Sequence, residues 1–194
     1  MKHLLEKLLN LTEDDIFKPF SVEEVIQKRL KDCTVNSDGT YSSNGNVDLS
    51  NLGLTILPVK FKEVKGNFWC GNNKLTSLKG CPKKVGGEFW CAYNKLTSLE
   101  GAPEHISTDF DCGHNKLTSL KGAPREVKEY FDCSYNKLTS LEGAPKKVSK
   151  SFWCNDNQLT TLKGAPEVVN GGFWCSFNPV SVDELRKTIK RSYL

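Results

Sequence analysis

Four tryptophans and two aspartates share one register. Trp69, Trp90, Asp111, Asp132, Trp153 and Trp174 follow one another at a step of about 21 residues, each held between a Phe and a Cys. A row of indoles with an acidic pair at its centre supports three kinds of chemistry. It can seat a protein partner, because Trp and Tyr bury large area at little entropy cost, with Lys or Arg of the partner over the acids. It can seat a sugar against the indoles. Carboxylates about 5 Å apart on adjacent strands also suit a retaining glycosidase, one of them titrating high. Short, uniform loops encode no deep pocket to exclude water, so an enzyme is not expected. Protein binding is the leading reading; a carbohydrate-binding or weakly hydrolytic surface and a self-associating scaffold are the alternatives.

A neighbouring column, just before an invariantly placed Asn, reads Asn72, Tyr93, His114, Tyr135, Asp156 and Phe177. Small residues (Gly71, Ala92, Gly113, Ser134, Asn155, Ser176) separate the two columns. The expected partner-binding set is therefore the six Trp and Asp residues with Tyr93, His114, Tyr135 and Phe177, framed by Glu88, Asp109 and Tyr130. A continuous apolar patch of this kind marks an interaction site. The alternative is that the indoles stack on one another and stiffen a sheet. Lys74, Lys95, Lys116 and Lys137 form a basic column that reads as a solvated edge.

These columns imply the elements that carry them. Phe68, Phe89, Phe110, Phe131, Phe152 and Phe173 recur at the same step, as do six cysteines from Cys70 to Cys175 and six asparagines from Asn73 to Asn178. A unit that buries its apolar side only against its neighbours is a solenoid. Strand alternation sends Phe and Cys inward and the residue between them outward. Each Asn can bond the loop backbone of neighbouring rungs. Gly80, Gly101, Gly122, Gly143 and Gly164, each two residues before a proline, set a tight return bend, so the convex side is expected to be extended or 3₁₀-like.

Residues 1–46 read as a helical N-terminal cap plus a hairpin. Leu4, Leu5, Leu8 and Leu9 form one apolar stripe, Thr12 starts a second helix, and Ser21 with Glu24 makes a capping box ahead of Val22, Val25, Ile26 and Leu30. Asn36-Ser37-Asp38-Gly39 is the hairpin turn. Residues 47–180 are the repeats, the first copy degenerate, and 181–194 a capping helix opened by Ser181 and Glu184.

The net charge of +4 is small and mixed in sign, so no nucleic-acid footprint is expected. No apolar run is long enough to span a bilayer, and Glu6 and Lys7 break any leader core; the expected location is cytoplasmic. Eight cysteines occur without a single C-x-x-C pair, and one thiol per rung reads as a buried column of small hydrophobes, with no metal or cofactor implied.

The unit Val85-x-x-x-Phe89-x-Cys91-x-x-Asn94-x-Leu96-x-x-Leu99 resembles a leucine-rich repeat, with Phe and Cys in two of the Leu slots. The wording F-x-C-x-x-N-x-L-T-S-L-x-G-A-P resembles leucine-rich repeat proteins encoded by large tailed bacteriophages and some bacteria. The resemblance implies an α/β solenoid of about seven parallel strand rungs with helical caps and a mostly non-helical convex side. It further implies a concave protein-binding face, and in a phage setting an accessory protein, in the host cytoplasm, that engages or blocks a host defence factor.

Overall fold

The computed structural model describes residues 21–192, with side chains to residue 187. The stripe at Leu4–Leu9, the start at Thr12 and the side chains of Ile189, Lys190 and Arg191 lie outside the described residues.

The chain is a parallel β-solenoid. Two-residue strands stack in register into a seven-stranded sheet: β3 (Val47–Asp48), β5 (Phe68–Trp69), β7 (Phe89–Trp90), β9 (Phe110–Asp111), β11 (Phe131–Asp132), β13 (Phe152–Trp153) and β15 (Phe173–Trp174). All neighbours pair parallel, Phe on Phe along the row and Asp111 on Asp132 at its centre. Phe68, Phe89, Phe110, Phe131 and Phe152 are fully buried. From Phe89 to Phe173 successive rings sit 5.2–5.3 Å apart, in the range where aromatic pairs attract.

Among the described residues helix is confined to the two ends, and the return side is non-helical as the Gly-x-Pro spacing predicts. The return path forms a second column of short parallel strands. These are β4 (Phe61–Val64), β6 (Lys84–Val85), β8 (His105–Ile106), then β10 (Glu126–Val127), β12 (Lys147–Val148) and β14 (Val168–Val169). The reason is the Gly-x-Pro bend. Gly122 has φ +100, and a Cβ there would meet the Leu99 carbonyl oxygen at 2.5 Å. Only glycine fits, and the proline two residues on forbids a helical continuation. Val64, Val85, Ile106, Val127, Val148 and Val169 then turn inward, closing the core on the Phe, Cys and Leu columns.

The asparagine column is the internal frame. Asn136 Nδ2 donates toward the carbonyl oxygens of Cys112, Cys133 and Ser134, each at 3.1 Å, and its Oδ1 accepts from Leu117 N at 2.9 Å. Asn94, Asn115, Asn157 and Asn178 bond across the rungs in the same way. The side chain supplies what the two-residue strands are too short to pair.

At the first edge, β1 (Thr34–Val35) and β2 (Tyr41–Ser43) pair antiparallel around Gly39, which has φ 76. Helix α1 (Val22–Leu30) begins in the complete Ser21–Glu24 capping box and buries Leu30; Val22, expected on its apolar face, is exposed. At the other end, α2 (Val182–Ser192) is capped by Ser181 Oγ, and the Glu184 carboxylate also reaches Thr161 Oγ1 and Leu162 N.

All eight cysteines are free thiols. Burial pushes Cys91, Cys112 and Cys133 well above the ordinary thiol range, and only Cys33 and Cys175 are half-open. An aromatic disulfide reagent at pH 8 should therefore titrate Cys33 and Cys175 in the native protein, and the others only after urea is added.

Candidate functional site

The six Asp and Trp side chains between the Phe and Cys columns all leave the long sheet on its outer face, away from the Phe core. Their burial differs from the expected open aromatic floor. Trp69, Trp90 and Trp153 are half-buried, and Trp174 alone is 53% exposed. The cause is local. Trp69 Nε1 donates to Glu88 Oε2 at 2.8 Å, and Trp153 stacks on Tyr130 at 5.0 Å. Trp90 lies over Gly71, where a Cβ would meet its six-membered ring at 2.7 Å. The small-residue column is thus what lets an indole lie down on the sheet. Glu88 and Tyr130, which looked like a frame, hold two of the four tryptophans directly.

Between Trp90 and Trp153 the floor is acidic. Asp111 Oδ1 accepts from Gly113 N at 2.8 Å, and Asp132 Oδ1 accepts from Ser134 N at 2.7 Å. A Cβ placed on Gly113 would stand 3.2 Å from Asp111 Oδ1 and 3.6 Å from Asp132 Oδ1, so both carboxylates border the space above that glycine. Burial pushes the Asp111 carboxyl up to about 7; the Gly113 N–H opposes this, the Asp132 and Glu88 carboxylates add to it, and the Trp90 indole N–H opposes it again. A half-hidden carboxyl beside a like charge is costly to ionise. Among the described residues, no group of three or more His, Cys, Asp or Glu is placed to hold a metal ion.

Beside the acids runs the second column, and its backbone is a finding the residue types did not announce. Asn51, Asn72, Tyr93, His114, Tyr135, Asp156 and Phe177 all have φ between 50 and 60. The turn from strand to Asn ladder demands the left-handed region, which Asn and Asp tolerate and bulky residues do not. His114 is clasped between Tyr93 at 4.1 Å and Tyr135 at 4.2 Å, three rings in one stack. The tyrosines stay half-exposed and Phe177 is 80% exposed. Phe177→Asn should therefore raise stability by about 1 kcal/mol, since it relieves a strained backbone and gives up little packing; a urea titration checks it.

One member of the acidic column is missing from the expected set. Asp48 of β3 stands in register with Trp69, and it holds an arginine. Arg29 of α1 lies 3.3 Å from Asp48 Oδ1, and donates to the carbonyl oxygens of Asp48 and Ser50 at 2.9 and 3.0 Å. Ser50 Oγ donates to the same Asp48 oxygen at 2.5 Å. Its signal in the sequence is the register itself, one step before Trp69.

Lys74, Lys95, Lys116 and Lys137 are all exposed, as a solvated edge requires. Among the described residues no helix is long and apolar enough to cross a membrane. The chain matches no protein-family model and no curated protein.

Proposed function

We propose that this protein is a non-enzymatic binding module whose long-sheet outer face holds an extended, basic segment of a protein partner. One observation carries the reading: the costs of folding gather on this face. Aromatic residues accept left-handed backbone there, and two carboxylates are drawn together in partial burial. Strain and unfavourable charge persist where something other than stability is served. Charge complementarity selects the partner, because Asp111 and Asp132, with the Glu88 carboxylate beside Asp111, call for cations. Indoles and tyrosines on either side supply contact area at small entropy cost.

The repeat wording resembles phage-encoded leucine-rich repeat proteins. In that setting the partner is a host or phage protein, with inhibition of a defence factor as the specific form of the proposal. The test is capture from a host lysate by the wild type and by Trp90→Ala/Trp153→Ala, with folding of both checked by circular dichroism. A protein retained by the first and lost by the second, and eluted by arginine-rich peptide, supports the reading. Equal retention by both, or elution by oligosaccharide instead, contradicts it.

A further inference from the structure

We propose that the Asp111–Asp132 pair is a guanidinium site, taking an arginine of the partner segment. This rests on the binding reading above and names what sits at its centre. Three observations beyond the acidic pair point to the ligand. The first is the chain's own use of the column: Asp48 already takes Arg29, with the neighbouring Ser50 hydroxyl engaged on the same carboxylate.

The second is an idle hydroxyl. Ser134 follows Asp132 as Ser50 follows Asp48, and it is 5% exposed, yet its Oγ has no hydrogen-bond partner. It lies in register with Gly113, from which a Cβ would point at the space the two carboxylates border. In the filled copy the serine is used; in the inner copy it waits beside Asp132.

The third is the aromatic surface on either side. Trp90 and Trp153 flank the acids along the sheet, each on a strand that pairs directly with one of them. A flat guanidinium stacks on an indole face while its N–H fork meets carboxylates; an ammonium does only the second well.

The proton follows from the neighbours. Acting on Asp111 are Glu88 and the Trp90 indole N–H from the β7 side, Asp132 from β11 and the Gly113 N–H of its own segment, with the Cys91, Cys112 and Cys133 thiols on the core side of the sheet. Burial first, and the Asp132 and Glu88 carboxylates after it, favour keeping one proton on the pair when it is empty. A cation replaces that proton. Because Asp111 ionises only at about 7, affinity rises with pH through that value, by about tenfold from pH 6 to pH 8.

The probes are capped Thr-Val-X-Val-Thr peptides with X arginine, lysine or citrulline, titrated into the full chain by calorimetry. Two buffers of different ionisation heat at pH 7 count the protons. The arginine peptide should bind at least tenfold tighter than citrulline, tighter than lysine, and release about half a proton. Asp132→Asn, whose amide oxygen still accepts the Ser134 N–H, should lose that preference. Arginine and citrulline binding alike, binding without proton release, lysine equalling arginine, or no binding of the arginine peptide would each overturn the inference. If any of these occurs while lysate capture still depends on Trp90 and Trp153, the docking face stands and the guanidinium site alone falls.

Discussion

Asp111→Asn resists more urea than the wild type at pH 8, and the difference narrows at pH 5. The sign comes from linkage. In the folded chain the Asp111 carboxyl titrates at about 7 against an ordinary 3.8, so between those values the native state binds more protons than the unfolded state. Stability present at low pH is then lost as pH rises through about 7. The full shift corresponds to at most about 4 kcal/mol, and water at the partly open side brings the change between pH 5 and pH 8 to about 2 kcal/mol. Asp38, Glu104 and Glu167 shift downward, held by Thr40, Lys83 and Lys146, so their contributions are complete above pH 5. The asparagine amide keeps the Gly113 bond and cannot ionise. Urea midpoints of both proteins at the two pH values check this; parallel pH profiles would contradict it.

The second large effect is in the frame. Asn136→Ala strips the partner from Leu117 N and removes one of the two amide donors from each of the Cys112 and Cys133 carbonyls, which keep Asn115 and Asn157, all within the interior. The abandoned N–H costs about 1–3 kcal/mol and each of the two lost carbonyl bonds about 1 kcal/mol, so the substitution should cost about 3–5 kcal/mol in all. Asn136→Asp is the informative companion: its oxygen still accepts from Leu117 N, but it sets a carboxylate against carbonyl oxygens and should be no milder. Urea melts of both variants give the numbers. A loss under about 1 kcal/mol would mean that water replaces the amide and that the ladder is ornamental. Because neighbouring rungs share each Asn, the damage should spread along the array.

The columns were legible because a strict repeat converts sequence position into place. Phe and Cys inside, Trp and Asp outside, and Asn bonding between rungs all follow from one period and strand alternation. Other features depend on neighbours that no single position declares. Whether Trp90 stands up or lies down is decided by Gly71 beneath it, and whether Trp69 is free is decided by Glu88 one rung on. The left-handed turn at Tyr93, His114 and Tyr135 could be suspected from Asn51, Asn72 and Asp156 in the same column, but not from the aromatic residues themselves. The Gly-x-Pro bend marked the return path as non-helical. Its pairing into a second parallel column depended on the Val column finding the core. Arg29 reaches Asp48 from a separate helix, a contact that no periodicity encodes.

The central claim is that one set of side chains weakens the fold and makes the contact. The most direct test measures both quantities on Asp111→Asn/Asp132→Asn: the urea midpoint at pH 8, and the affinity for the arginine peptide. The midpoint should rise while the affinity falls by at least tenfold. A variant that still holds the peptide, or that unfolds more easily than the wild type, would contradict the account.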